Sequence, residues 1–379
     1  MIAPLALLAA LAAPAASPAP VPRAADEAAD ELAEQLAELE VRWRGKLLSL
    51  EELGAEAGQA PADAARAWAP WVVPHEYRLE LNDDGRVLLV LPEHKKKARK
   101  ELELVAEVCE RFDALLPLPV GGPTTGSRAA DAARDVETAV VLQVTDVDDY
   151  SSVLDFLAQH HAYLAGWTRE ARGLAGFVLR EPLCAAWIER LSGQEEWDPL
   201  NELVNRTAQL LVLRRFGAQP FWLEMGLAWY FEYEILDAIY CYPYRDEFVW
   251  ATEHTAWEGD LRRRFEARKD EPLAMRELAD WTRGKFENDP AQLAWGTVRF
   301  LARHHPEELP KLLEGLRRVI LEKGRITTKA GDFTSWVLIP GFEPHPDDQV
   351  AVLRELVADD VLVRLSEFYR KGKRYKPLE

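Results

Sequence analysis

The apolar positions of this chain change period along its length, and the changes divide it into regions. Over residues 24–53, Leu32, Leu36, Leu39, Trp43 and Leu47 recur at spacings of four and three, which predicts one helix with a single apolar stripe. Such a stripe docks on its own domain or on a partner helix. From residue 76 the period shortens to two. Tyr77-Arg78-Leu79-Glu80-Leu81 alternates, Asn82-Asp83-Asp84-Gly85 has the composition of a turn, and residues 87–91 are a second β-rich run, so a hairpin is expected. Residues 93–116 then place Leu102, Val105, Val108, Phe112 and Leu115 on one helical face. Lys95, Lys96, Lys97, Arg99 and Lys100 at its start are assigned to the solvated side.

A Gly-, Pro- and Thr-rich stretch over residues 120–134 reads as a loop before a strand at 138–144. A helix over about 149–165 follows, then strands at 174–179 and 183–188 separated by Arg180-Glu181-Pro182. From Pro199 onward the signals are almost entirely helical. Asp289-Pro290 opens one helix, His305-Pro306 closes it, and residues 347–369 are strongly amphipathic. Sheet first and helices afterwards is an α+β arrangement: a small mixed sheet over residues 71–195, then a mostly helical part over 196–379.

Composition narrows the classes. With 379 residues, 48% hydrophobic and including 13 Trp and 13 Phe, the chain can fill a substantial core and is not a disordered protein. Acidic residues outnumber basic ones 64 to 46, and the net charge of −18 repels phosphate backbones and anionic headgroups, so no nucleic-acid partner is expected. Residues 1–16 are almost wholly apolar and end in small residues, with Ala13-Pro14-Ala15 giving an A-x-A pattern, although no Lys or Arg precedes the run. That reads as a signal peptide too short to span a bilayer, and predicts an exported protein (periplasmic, secreted or envelope-associated) with no transmembrane segment after cleavage. Pro18, Pro20 and Pro22 then suit an extended leader, so residues 17–70 are read as leader plus the amphipathic helix. Cys109, Cys184 and Cys241 lie far apart without C-x-x-C spacing, and buried free thiols are expected.

The informative stretch is Asn201-Glu202-Leu203-Val204-Asn205, followed by Trp222-Leu223-Glu224-Met225-Gly226-Leu227-Ala228-Trp229-Tyr230-Phe231-Glu232. Asp198-Pro199 supplies an N-cap and first-turn proline for one helix, which Gly217 ends, and a second helix starts after Pro220. Taken alone, N-E-x-x-N is an ordinary polar first turn, with Glu202 near the positive end of the helix.

Together the two helices resemble the gluzincin metallopeptidases, especially the peptidase MA-like proteins whose first helix carries H-E-x-x-H and whose second carries W-L-x-E-G-L-A-x-Y. The resemblance is strongest over residues 198–235, and its second-helix flank here is Trp222, Glu224, Gly226 and Tyr230. It implies that Asn201 and Asn205 occupy the positions of the zinc-binding histidines, that Met225 occupies the third-ligand position, and that Glu202 is a vestigial general base. Carboxamides and a thioether are poor partners for zinc, and without the metal Glu202 has no activated water to deprotonate. The expectation is a pseudopeptidase with zinc absent as a cofactor and no active catalytic residue. Its inherited cleft is then either a groove for a peptide or protein partner or buried packing.

Two other readings stay open: an envelope scaffold working through the N-terminal helix, and a peptidase using an unrecognised metal site. The nearest candidate for the latter is His254 with Glu258, four residues apart. No G-x-S-x-G, G-x-x-x-x-G-K-[ST] or G-x-G-x-x-G motif occurs, so serine-hydrolase, P-loop and Rossmann chemistry lack support.

Overall fold

The fold was obtained as a computed structural model, which describes residues 39–95, 98–117, 137–189, 198–239, 256–268, 271, 273–279, 281, 288–330, 333–339 and 341–375. In chain order it runs β1 (Glu40–Trp43), β2 (Lys46–Ser49), α1 (Leu50–Glu56), α2 (Gln59–Val72), β3 (Tyr77–Leu81), β4 (Val87–Pro92), α3 (Arg99–Leu115) and β5 (Ala139–Val144). Next come α4 (Val147–His160), α5 (Ala165–Ala171), β6 (Gly176–Leu179), β7 (Cys184–Ile188), α6 (Pro199–Phe216), α7 (Phe221–Leu236), α8 (Trp257–Arg268) and α9 (Arg276–Ala279). The chain continues through α10 (Asn288–His304), α11 (Leu309–Lys323), β8 (Arg325–Ala330), β9 (Phe333–Leu338), α12 (Pro346–Leu356) and α13 (Val361–Lys371). The class is α+β.

Seven strands form one mixed sheet in the order β2-β1-β3-β4-β5-β7-β6. Its hairpins are antiparallel, while β1 with β3, β4 with β5, and β5 with β7 pair in parallel. The central strands are buried on both faces, which is why they read as continuous apolar runs. Alternation still divides their side chains. Val87, Leu89, Leu91, Val141 and Trp187 point into the core shared with α3 and α6, whereas Leu88, Val90, Leu142, Cys184 and Ile188 point into the core shared with α2 and α4. The first of these cores continues from the sheet into the helices as far as Tyr369, so it crosses the expected boundary near residue 195.

The expected hairpin at 77–91, the strand at 138–144, the strands flanking residues 180–182, and the helices opened by Asp198-Pro199 and Asp289-Pro290 are all present, the last starting one residue earlier at Asn288. The expected helix over 24–53 is corrected where the structure describes it: residues 40–49 are the hairpin β1–β2, which extends the sheet beyond its expected start. Arg44 and Gly45 have φ of 50° and 78°, the conformation of a tight two-residue hairpin turn. The stripe was ambiguous, because Val41 and Trp43 also alternate and both are buried, while Leu47 is half exposed on the edge strand. Ser49 and Glu52 then form a reciprocal capping box that starts α1. Leu32 and Leu36, the signal-peptide pattern of residues 1–16 and the loop over 120–134 lie outside the described residues.

One further difference concerns the helical part, which the hairpin β8–β9 interrupts, and the amphipathic residues 347–369 form two helices, α12 and α13. The break has a packing cause: Val352 and Leu356 press on Gly315 of α11, whereas Val361, Leu365 and Tyr369 face the core beside α8 and α10. Of the basic run, Arg99 and Lys100 are exposed as expected and Lys96 and Lys97 lie outside the described residues, whereas Lys95 pairs with the buried Glu101 at 2.7 Å and reaches Glu189 at 3.5 Å.

Helices α7 and α10 cross closely at Gly226. A Cβ there would stand 2.7 Å from the carbonyl oxygen of Ala294 and 2.8 Å from Val298 Cγ2. Gly226→Ala should therefore destabilise the protein by about 1–3 kcal/mol, even though alanine is the better helix former by roughly 1 kcal/mol. In the exposed α5, Gly166→Ala meets nothing within 4 Å and should be neutral to slightly stabilising. Urea denaturation of the two variants distinguishes them, and equal stability would show that the α7–α10 approach is not tight.

Candidate functional site

Helix α6 is unusual in carrying many polar side chains with almost no exposed surface. All of its residues are buried except Pro199, Leu200 and Arg215, because the sheet, α3 and α7 cover it on successive sides. Polar groups in such a place must find partners within the protein. Asp198 caps the helix by accepting from the Leu200 amide at 2.9 Å, and Gly217, with φ of 71°, ends it, so the short connection at 217–220 returns α7 alongside.

The partners explain the pattern. Asn201 Nδ2 donates to Glu232 Oε1 at 2.7 Å and to the carbonyl of Ala238 at 3.0 Å, while Asn205 Nδ2 donates to Glu232 Oε2 at 3.0 Å. Gln209 Nε2 donates in turn to Asn205 Oδ1 at 2.6 Å. Asn201 is 2% exposed, and Asn205 and Glu232 are 0% exposed, so this chain of amides ending on a carboxylate is wholly internal.

Glu202, also 0% exposed, forms an i,i+4 ion pair with Arg206 at 2.8 Å. Its other oxygen has no hydrogen-bond partner among the described residues. A carboxylate committed to an internal guanidinium and closed off from solvent is not placed to take a proton from an incoming water.

Thus the structure brings Asn201 and Asn205 together on α7, but the residue they meet is Glu232. Met225 stands seven positions earlier on the same helix. Seven residues span about 10.5 Å of axis and return to nearly the same face, so Met225 lies about two turns from the two asparagines. It is 2% exposed and packed in the main core.

The remaining flank residues have structural partners. Trp222 is 1% exposed and its indole N–H donates to Gln349 Oε1 at 2.7 Å, tying α7 to α12. Glu224 is buried, Gly226 permits the α10 crossing, and Tyr230 is half-buried with its hydroxyl pKa raised by that burial.

Sequence reasoning quoted Glu232 without giving it a role and did not single out Arg206 or Gln209. Their signals were present: Arg206 follows Glu202 by four residues, Gln209 follows Asn205 by four, and Glu232 follows Met225 by seven.

Zinc does not fit this donor set. Both amides turn their N–H groups toward Glu232, and the position the resemblance assigns to the third ligand is a thioether two turns away. Among the described residues no cluster of three His, Cys, Asp or Glu side chains could hold a metal ion. His254 lies outside the described residues, and Glu258 accepts a hydrogen bond from Arg299 at 2.7 Å. Cys109 and Cys184 are free and buried, and burial pushes the Cys109 thiol up to about 12 and raises Cys184 as well. Cys241 lies outside the described residues. No described helix is long and apolar enough to cross a membrane. No protein-family model matches the chain, and no curated protein matches it by sequence.

Proposed function

We propose that this is an exported, catalytically inactive protein on a gluzincin-like frame, in which the two helices of the former active site serve as internal scaffold. The observation that carries this reading is the bonding of Asn201 and Asn205 to Glu232, which turns two metal-ligand positions into a closed hydrogen-bonded lock between α6 and α7. Burial supports the scaffold role over a peptide groove at the same place. Asn205, Trp222 and Met225 are each 2% exposed or less, so a peptide would find no aromatic surface open to it there. Export rests on the signal-like pattern of residues 1–16.

The test is metal stoichiometry with a stability readout. Purified protein equilibrated with zinc and dialysed should retain well under one equivalent. A chelator should leave the melting temperature unchanged, because no metal-binding free energy is linked to folding. An unstructured peptide pool should pass through uncleaved. Stoichiometric zinc that disappears in Glu202→Gln or Glu224→Gln, accompanied by peptide cleavage, would overturn the proposal.

A further inference from the structure

We propose that the concave surface where α8, α10 and α13 meet binds a small molecule bearing an oxyanion group. On a chain of net charge −18, Arg262, Arg303, Lys371 and Arg374 line one pocket of about 530 Å³. The single carboxylate in that lining is Glu258. Its charge is already met from behind the wall, where Arg299 Nη1 donates to it at 2.7 Å.

Arg299, which meets the Glu258 charge, lies beneath the surface. Its side chain is 8% exposed and its guanidinium lies over the Trp295 ring, 5.1 Å from the centroid. Its Nε has no hydrogen-bond partner among the described residues. Tyr369 completes the wall, with its hydroxyl occupied in donating to the carbonyl of Gly296 at 3.0 Å.

A structural explanation accounts for part of this charge. Arg303 sits in the last turn of α10 and Lys371 in the last turn of α13, where the partial negative charge of a helix end favours cations. Two helix ends contribute roughly one negative charge between them, and three of the four lining cations also have a solvent-accessible carboxylate partner. The acids that pair with them are not part of that lining. Glu266 bonds Arg262 and Glu367 bonds Lys371, each four residues away on its own helix, and Glu234 reaches Arg303 at 3.4 Å. These are weak, solvent-screened pairs that an incoming anion replaces readily.

The chemistry of the lining selects the ligand. Three of the four cations are arginines, whose planar guanidinium forks match phosphate and carboxylate oxygens in pairs. The volume falls within the roughly 300–1,000 Å³ of small-molecule sites. Phe368, in tilted and edge-to-face contact with Phe300, His304 and Tyr375, supplies an apolar wall for the rest of the ligand.

Isothermal titration of the full chain with inorganic phosphate, and separately with malonate at matched ionic strength, tests the site. Saturable one-site binding of at least one anion is expected, and the tighter of the two identifies the ligand as phosphorylated or carboxylated. The Arg303→Gln/Arg374→Gln protein should bind about tenfold more weakly. Arg99→Gln, a change at an exposed cation outside the pocket lining, should leave binding unaltered. Should the double variant melt early, Lys371→Met offers a second, exposed position to read. Failure of both anions to saturate, or equal affinity in the native and pocket-variant proteins, would overturn the proposal.

Discussion

Replacing Asn201 and Asn205 together with leucine is expected to destabilise the protein by about 3–5 kcal/mol, the usual cost of removing the partners of a buried charge. Glu232 is 0% exposed and both of its oxygens accept from these amides, so the variant removes two internal donors from a carboxylate that water does not reach. Leucine adds apolar volume at both positions, yet that gain is smaller than the desolvation left uncompensated. The melting temperature should fall by roughly 5 °C. Adding Glu232→Leu should return much of the lost stability, since an apolar set in place of a buried polar one is often neutral or better. Denaturant titration of the double and triple variants reads both effects. If the double variant is as stable as the native protein, the α6–α7 lock is not a stabilising element.

The second large effect is a gain of metal binding. Asn201→His with Asn205→His places two imidazoles four residues apart on α6, opposite a native carboxylate on α7. Because that carboxylate is Glu232, the double change alone should suffice to retain about one equivalent of zinc after dialysis. Adding Met225→Glu, two turns away, should not tighten it. The larger rings overfill a closed site and should lower the metal-free stability by about 1–3 kcal/mol. Zinc at a hundredfold excess over its Kd should restore about 2.7 kcal/mol. Glu232→Gln in the double-histidine background should abolish that gain. Tighter binding that depends on Met225→Glu would show that the ligand geometry follows the sequence register instead, and no binding by any combination would count against the gluzincin-like reading.

Local signals were legible in the sequence wherever a few neighbouring residues settle the matter. Asp198-Pro199 and Gly217 bounded α6 and the Asn82–Gly85 turn marked the first strongly alternating hairpin, because caps and tight turns are decided within a single turn of chain. The stripe through Trp43 and Leu47 misled because spacings of four and three also contain alternating positions. The edge position of β2 and the turn at Arg44-Gly45 resolve that ambiguity only once β1 pairs with β3.

The candidate site divides along the same line. Its two helices and their order are properties of the sequence, fixed by residue type and spacing. Which carboxylate meets Asn201 and Asn205 was decided by the antiparallel register of α6 and α7, which sets Glu232 opposite them and leaves Met225 two turns along the axis. The closure of the site was likewise tertiary. A polar helix reads as solvated until the sheet, α3 and α7 cover its sides, and burial is a property of what packs against a residue, not of the residue itself.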